Sequence, residues 1–175
     1  MNVLRFLRPA CIQLPLVTQP IPPPDEDDDE ETPGQLAKRQ AREKGLVMEE
    51  LAAVLARCDD VVNPTKLLRD LEHRERNATT AIGNGVAIPH VRTLQARSFI
   101  MGFARADGDG LFYGAADGEP VRLFFLMAAP PYDDRIYHQV HREVATMLHD
   151  EEMVDALLAT KQPQDVFNLL RRFFA

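Results

Sequence analysis

His90 is the residue whose setting most suggests chemistry. It closes the run Gly85-Val86-Ala87-Ile88-Pro89-His90. Val86-Ala87-Ile88 is a short buried-strand pattern. Pro89 lacks an N–H and has a fixed φ, so regular pairing should stop there and leave a rigid support for the imidazole. An imidazole held at a strand end suits a nucleophile or a proton carrier. The same pattern also describes a histidine that merely caps a strand, and residue chemistry alone leaves both readings open.

The other histidines are His73, His138, His141 and His149. Their spacing does not match HExxH, and neither Cys11 nor Cys58 lies near them in sequence or forms a CxxC pair. No metal and no cofactor is therefore expected, and the two cysteines read as reduced, buried thiols. There is no GxSxG nucleophile elbow. Gly83-Asn84-Gly85 lacks the Lys-Ser/Thr of a P-loop and the spacing of a dinucleotide fingerprint.

The elements that must position His90 follow from periodicity and caps. Cys11, Ile12 and Leu14 suggest an opening strand. Val47, Leu51, Val54 and Leu55 form one helical face. Asn63-Pro64 opens a second helix through Leu67, Leu68 and Leu71, expected to end before the polar stretch Arg74–Thr80. Ser98–Ala104 and Val121–Ala128 read as strands, the second buried on both faces. Three Asp-Gly pairs mark turns between them. Val140, Val144, Met147 and Leu148 begin a helical final third, and Pro163 opens its last helix. The order predicts an α/β fold with a mixed β-sheet sandwiched by helices.

The chain has 175 residues and a net charge of −7. Seven acids are consecutive, Asp25–Glu31, and the remaining charges balance at 20 of each sign. A near-neutral body argues against a nucleic-acid partner, which requires a basic face. The longest apolar run, Leu123–Ala129, is too short to span a bilayer. No signal peptide is read at the N-terminus, so a cytoplasmic location is expected. Gln19–Gly34 combines consecutive prolines with the acidic run and reads as a mobile insertion or linker without core. Its deletion is expected to leave thermal stability nearly unchanged.

The run Leu71–His90, LEHRERNATTAIGNGVAIPH, resembles the signature of IIA domains of the phosphoenolpyruvate-dependent sugar phosphotransferase system, mannitol/fructose type. That family includes the nitrogen-regulatory IIA proteins. Arg74-Glu75, Thr80, Ile82-Gly83, Gly85 and Ala87–His90 carry the resemblance. The opening LRFLRPACIQL, Val121–Pro130 and the closing helices extend it across residues 1–175. The chain is thus read as one IIA-like domain with an acidic, proline-rich insertion at 19–34.

The resemblance implies a mannitol/fructose-like IIA fold and a phosphotransferase component working through phosphohistidine. His90 would accept the phosphoryl group from phospho-HPr or a homologue. Arg74 and Thr80 would bind the phosphate, with backbone N–H groups of Gly83–Gly85 assisting. The chain would then serve regulation, as in the nitrogen-regulatory branch, or relay the group to a IIB component. The alternatives are a sugar-specific transport subunit and a catalytically retired interaction module. Two departures from the family pattern bear on the site. Val91 stands where a small residue is usual and would crowd the pocket mouth. The family's second histidine falls on Tyr137 without a gap, on His138 with a one-residue shift, or on His141 one turn later. His138 is preferred because it stands at the helix entry.

Overall fold

The computed structural model describes residues 2–25 and 30–174. Residues 26–29, the centre of the predicted acidic insertion, lie outside the described residues. A 3-10 turn, Val3–Phe6, leads into β1, Leu7–Gln13. Helices α1, Pro33–Leu55, and α2, Pro64–Asn77, follow. Then come five strands: β2, Ala81–Gly83; β3, Val86–Ala87; β4, His90–Arg92; β5, Ile100–Arg105; and β6, Leu123–Ala129. Helices α3, Asp134–Leu148, α4, Glu151–Leu158, and α5, Pro163–Phe173, close the chain.

The sheet order is β1-β5-β6-β3-β2, with β4 also paired to β6. β5 runs antiparallel to β6, whereas β1 is parallel to β5 and both β3 and β4 are parallel to β6. The expected mixed sheet between helical layers is present. All of β6 is buried, and its alternation feeds two cores. Phe124, Leu126 and Ala128 pack with Leu51, Leu55 and Leu71 on the α1/α2 side. Leu123, Phe125 and Met127 pack with Val140, Val144 and Leu170 on the other. Each large side chain so buried contributes roughly 1.5–3 kcal/mol.

Three local expectations change. α2 does not stop before Arg74 but continues to Asn77. Arg74 meets His90 and Glu75 meets Lys44 and Thr80, and the first part of the polar stretch, Arg74–Asn77, is helical. His90 opens a strand rather than ending one: β4 keeps the register of β3 along β6. Pro89 interrupts the ladder without shifting it, and its carbonyl accepts the N–H of Met127 at 2.9 Å.

Within 19–34, Ile21, Glu31 and Thr32 are fastened to α1. Thr32 and Gln35 form a capping box, and Pro33 occupies the first turn. Arg39 donates to the Ile21 carbonyl at 3.0 Å and forks onto Glu31 at 2.7 and 2.8 Å. Ile21 N–H donates to the buried Glu43 carboxylate at 2.9 Å. The flanks of the insertion are thus structural, and the predicted mobile segment is not a plain spacer.

Candidate functional site

His90 and Arg74 meet where α2 ends beside the sheet edge. The last turn of α2 carries Arg74, and its Nη1 donates to the Ala78 carbonyl at 2.9 Å, which holds the guanidinium over the helix end. Its Nη2 lies 3.1 Å from His90 Nε2. The other ring nitrogen, Nδ1, lies 2.6 Å from the Ile88 carbonyl oxygen. A carbonyl only accepts, so the proton belongs on Nδ1. Nε2 therefore presents its lone pair to Arg74, as a nucleophile requires.

Burial pushes the His90 pKa down to about 4. The nearby His141 and Arg74 act in the same direction, and the Ile88 carbonyl opposes them. At neutral pH the ring is uncharged. His141 is likewise held below the ordinary histidine range, first by burial and then by Arg74 and His138.

A cavity of about 750 Å³ opens over this pair, bordered by Arg74, His90, Arg92, Tyr137, His138 and His141. α3 supplies the last three. The His141 ring stands edge-on to His90 with centroids 4.7 Å apart. Tyr137 lies at 5.8 Å from the same ring. His138 borders the cavity but sets its ring against Tyr137 at 5.4 Å. The histidine in ring contact with His90 is therefore His141, the alternative, rather than the preferred His138. One helical turn separates His141 from Tyr137, so both point toward the sheet, while His138 is rotated away.

Thr80 is placed differently from its expected role. It is buried, and its hydroxyl donates to Glu75 Oε2 at 2.6 Å. That hydroxyl is engaged beneath the site and is not among the groups bordering the cavity. A direct phosphate contact does not fit this geometry. The glycine-spaced loop also has another job. Gly83, Asn84 and Gly85 take φ values of 88°, 53° and 74°, which turn β2 into β3. Asn84 N–H is taken by Asp117 Oδ2 at 2.9 Å, so this amide does not serve a phosphate.

Val91 packs into the α1/α2 core and also borders the cavity. Successive residues of β4 face opposite ways: His90 turns toward α3, and Val91 sinks into the α1/α2 core. Arg92 was not singled out by motif, yet it follows His90 by two positions and so shares its face. It pairs with Asp134 at the start of α3 and lies 5.8 Å from the centre of the Tyr137 ring. That i, i+2 spacing was the available signal. Among the described residues, no group of three or more His, Cys, Asp or Glu is placed to hold a metal ion.

The profile of the "Phosphoenolpyruvate-dependent sugar phosphotransferase system, EIIA 2" family matches residues 35–173. The chain belongs to this EIIA family. A nitrogen regulatory protein of Bradyrhizobium diazoefficiens is 30% identical over 131 residues, covering 75% of this chain and 84% of that protein. The fructose-specific EIIABC component of Bacillus subtilis is 26% identical over 133 residues, 76% of this chain. This chain spans only 21% of that longer relative. Among solved structures, nitrogen regulatory protein IIA-Ntr from Neisseria meningitidis superposes with a TM-score of 0.72 at 23% identity, covering 95% of this chain and 97% of that one. The Escherichia coli complex of enzyme IIA-mannitol with phosphorylated enzyme IIB-mannitol gives 0.62 at 21% identity, covering 74% and 88%. These likenesses place the EIIA fold across both helical layers.

Proposed function

We propose that this chain is a phosphoryl carrier in which His90 Nε2 accepts a phosphoryl group from phospho-HPr or a homologue. The carrying observation is the pairing of a neutral, Nδ1-protonated imidazole with Arg74 at 3.1 Å from its free nitrogen. The Nε2 lone pair attacks phosphorus in line. The donor's N–P bond breaks as the new one forms, and the donor imidazole leaves with the electron pair. Charge spreads over the three equatorial oxygens during transfer, and catalysis there is positioning plus electrostatic stabilisation. Arg74 supplies a planar fork for those oxygens.

No proton leaves His90 in this step. Nδ1–H stays on the Ile88 carbonyl, which stabilises the positive charge arriving on the ring. The burial that resists ring charge acts the other way and keeps the phosphoryl group transferable. His141, neutral and edge-on to His90, stands where it can donate to a phosphate oxygen. Arg74 and His141 are therefore assigned to phosphate binding in this reading.

Two destinations follow from the relatives. Identities of 30% and 28% to two nitrogen regulatory proteins support regulation as the first destination. A phosphoryl group adds about −1.5 to −2 charges at neutral pH, enough to change which partner the cavity rim accepts. The IIA–IIB complex among the fold neighbours supports relay to a IIB component as the second destination. Residues 1–175 act together in this reading, with 19–34 as an insertion tethered to α1. Among the described residues, no helix is long and apolar enough to cross a membrane.

The test is intact-mass measurement after incubation with phosphoenolpyruvate, enzyme I and HPr from the same organism, beside His90→Ala. An acid-labile phosphoryl adduct on the unmodified chain alone supports the reading. Its absence while HPr is charged rejects it.

A further inference from the structure

Beneath the cavity lies a buried polar group that touches neither His90 nor the cavity wall. Glu75, only 6% exposed, stands next to Arg74 on the last turn of α2. Its carboxylate accepts the backbone N–H of Thr80 at 3.1 Å on both oxygens, and the Thr80 hydroxyl at 2.6 Å. Lys44, from the middle of α1, donates to Oε1 at 2.9 Å. Lys44 also lies 4.7 Å from the centre of the fully buried Tyr113 ring, which braces the ammonium from below. A buried carboxylate with one cation and three donor contacts from a single residue fixes that residue tightly.

Thr80 passes the constraint on. Its carbonyl accepts the Ile88 N–H at 2.9 Å. The Ile88 carbonyl in turn accepts His90 Nδ1–H at 2.6 Å. The same turn holds Ala78, whose carbonyl anchors Arg74. Nucleophile and guanidinium therefore hang from one backbone segment, residues 78–80, and Glu75 pins that segment to α1.

We propose that Glu75, held by Lys44, is a positioning residue that sets the tautomer of His90 and the placement of Arg74 through Thr80. Glu75 touches no reacting atom. It acts by keeping the Ile88 carbonyl where it retains the proton on Nδ1, so that Nε2 stays free. The role in transfer rests on His90 being the phosphoryl acceptor, whereas the tautomer effect does not.

The experiment compares Glu75→Gln, Thr80→Val and the conservative Thr80→Ser with the unmodified full chain. Ring ¹⁵N shifts of His90 report its tautomer, and the phosphorylation assay reports acceptance. Glu75→Gln is expected to populate the Nε2–H tautomer and to slow acceptance roughly tenfold to a hundredfold, the scale of small misplacements of reacting groups. Thr80→Val should move both readouts in the same direction, and Thr80→Ser should restore them. A folded Glu75→Gln with an unmoved Nδ1–H tautomer overturns the proposal, even if transfer slows, because a merely structural role would do that. If Glu75→Gln fails to fold, Thr80→Val decides by the same criterion. Should the unmodified chain take no phosphoryl group while the variants shift the tautomer, the carrier function fails and the positioning role stands.

Discussion

Arg74 Nη2 stands 3.1 Å from His90 Nε2 across a separation of 16 residues, bringing a helix end and a sheet edge together. At rest the guanidinium meets a lone pair. In the proposed transfer the same guanidinium would meet phosphoryl oxygens. Replacing Arg74 by Ala should lower the acceptance rate by roughly 10²–10³, as removal of a preorganised transition-state donor does elsewhere. Stability should fall by about 1–3 kcal/mol, since the hydrogen bonds lost are those to the Ala78 carbonyl and to His90 Nε2. Stopped reactions analysed by mass, with a parallel melting curve, separate the two effects. Unchanged transfer would remove Arg74 from the site.

The two α3 histidines should behave differently. His141→Ala removes the ring 4.7 Å from His90 and should slow acceptance about tenfold, the scale of one neutral hydrogen bond made to the transferring group. His138→Ala, whose ring rests on Tyr137, should stay within about twofold. Rates of the two variants side by side check the assignment, and a reversed ranking would return the role to His138.

Acid should destabilise the fold through His90. The native ring takes a proton near pH 4, the unfolded one near the ordinary value of 6.5. Above 6.5 both states are neutral and there is no penalty. As pH falls from 6.5 toward 4, only the unfolded chain binds the proton, so unfolding is favoured. Below 4 the penalty levels off at on the order of 3 kcal/mol. His141 is shifted in the same direction and adds to it. The drop in melting temperature between about pH 7 and about pH 4, a range that spans the linkage window, should therefore shrink in His90→Asn. An unchanged drop would show that His90 titrates normally.

Removing residues 19–34 should lower the melting temperature. The deletion takes away the Thr32 cap of α1, the Arg39–Glu31 fork and the Ile21 donor to buried Glu43. A cap alone is worth about 1 kcal/mol, and the whole set should cost about 2–3 kcal/mol, or roughly 5–10 °C. Deleting only 23–30 behind a short linker keeps these contacts and should cost little. Calorimetry of the two deletions tests this, and equal melting temperatures would contradict it.

Much of the fold could be read because its signals are local. Asn63-Pro64 does open α2, and Pro163 opens α5. The unbroken apolar run at Leu123–Ala129 is the strand buried on both faces. What escaped depends on distant partners. Arg74 and Glu75 look like a helix exit until His90 and Lys44 are beside them, the latter 31 residues earlier in the chain. Pro33 looks like part of a proline-rich spacer until Gln35 closes the capping box with Thr32. For the site, the run from Arg74 to His90 marked the two residues that meet at Nε2. Sequence alone could not choose among Tyr137, His138 and His141, because which ring meets His90 depends on the rotation of α3 against the sheet. Thr80 shows the opposite limit: its type suits a phosphate donor, but its hydroxyl is spent on a carboxylate below the site.

The central claim concerns one atom, His90 Nε2. The most direct measurement is a ³¹P–¹⁵N coupling experiment on the chain phosphorylated through HPr, with ring nitrogens labelled. The expected result is phosphorus coupled to the Nε2 resonance of His90, with Nδ1 still carrying its proton. Phosphorus on Nδ1, or on another histidine, would contradict it.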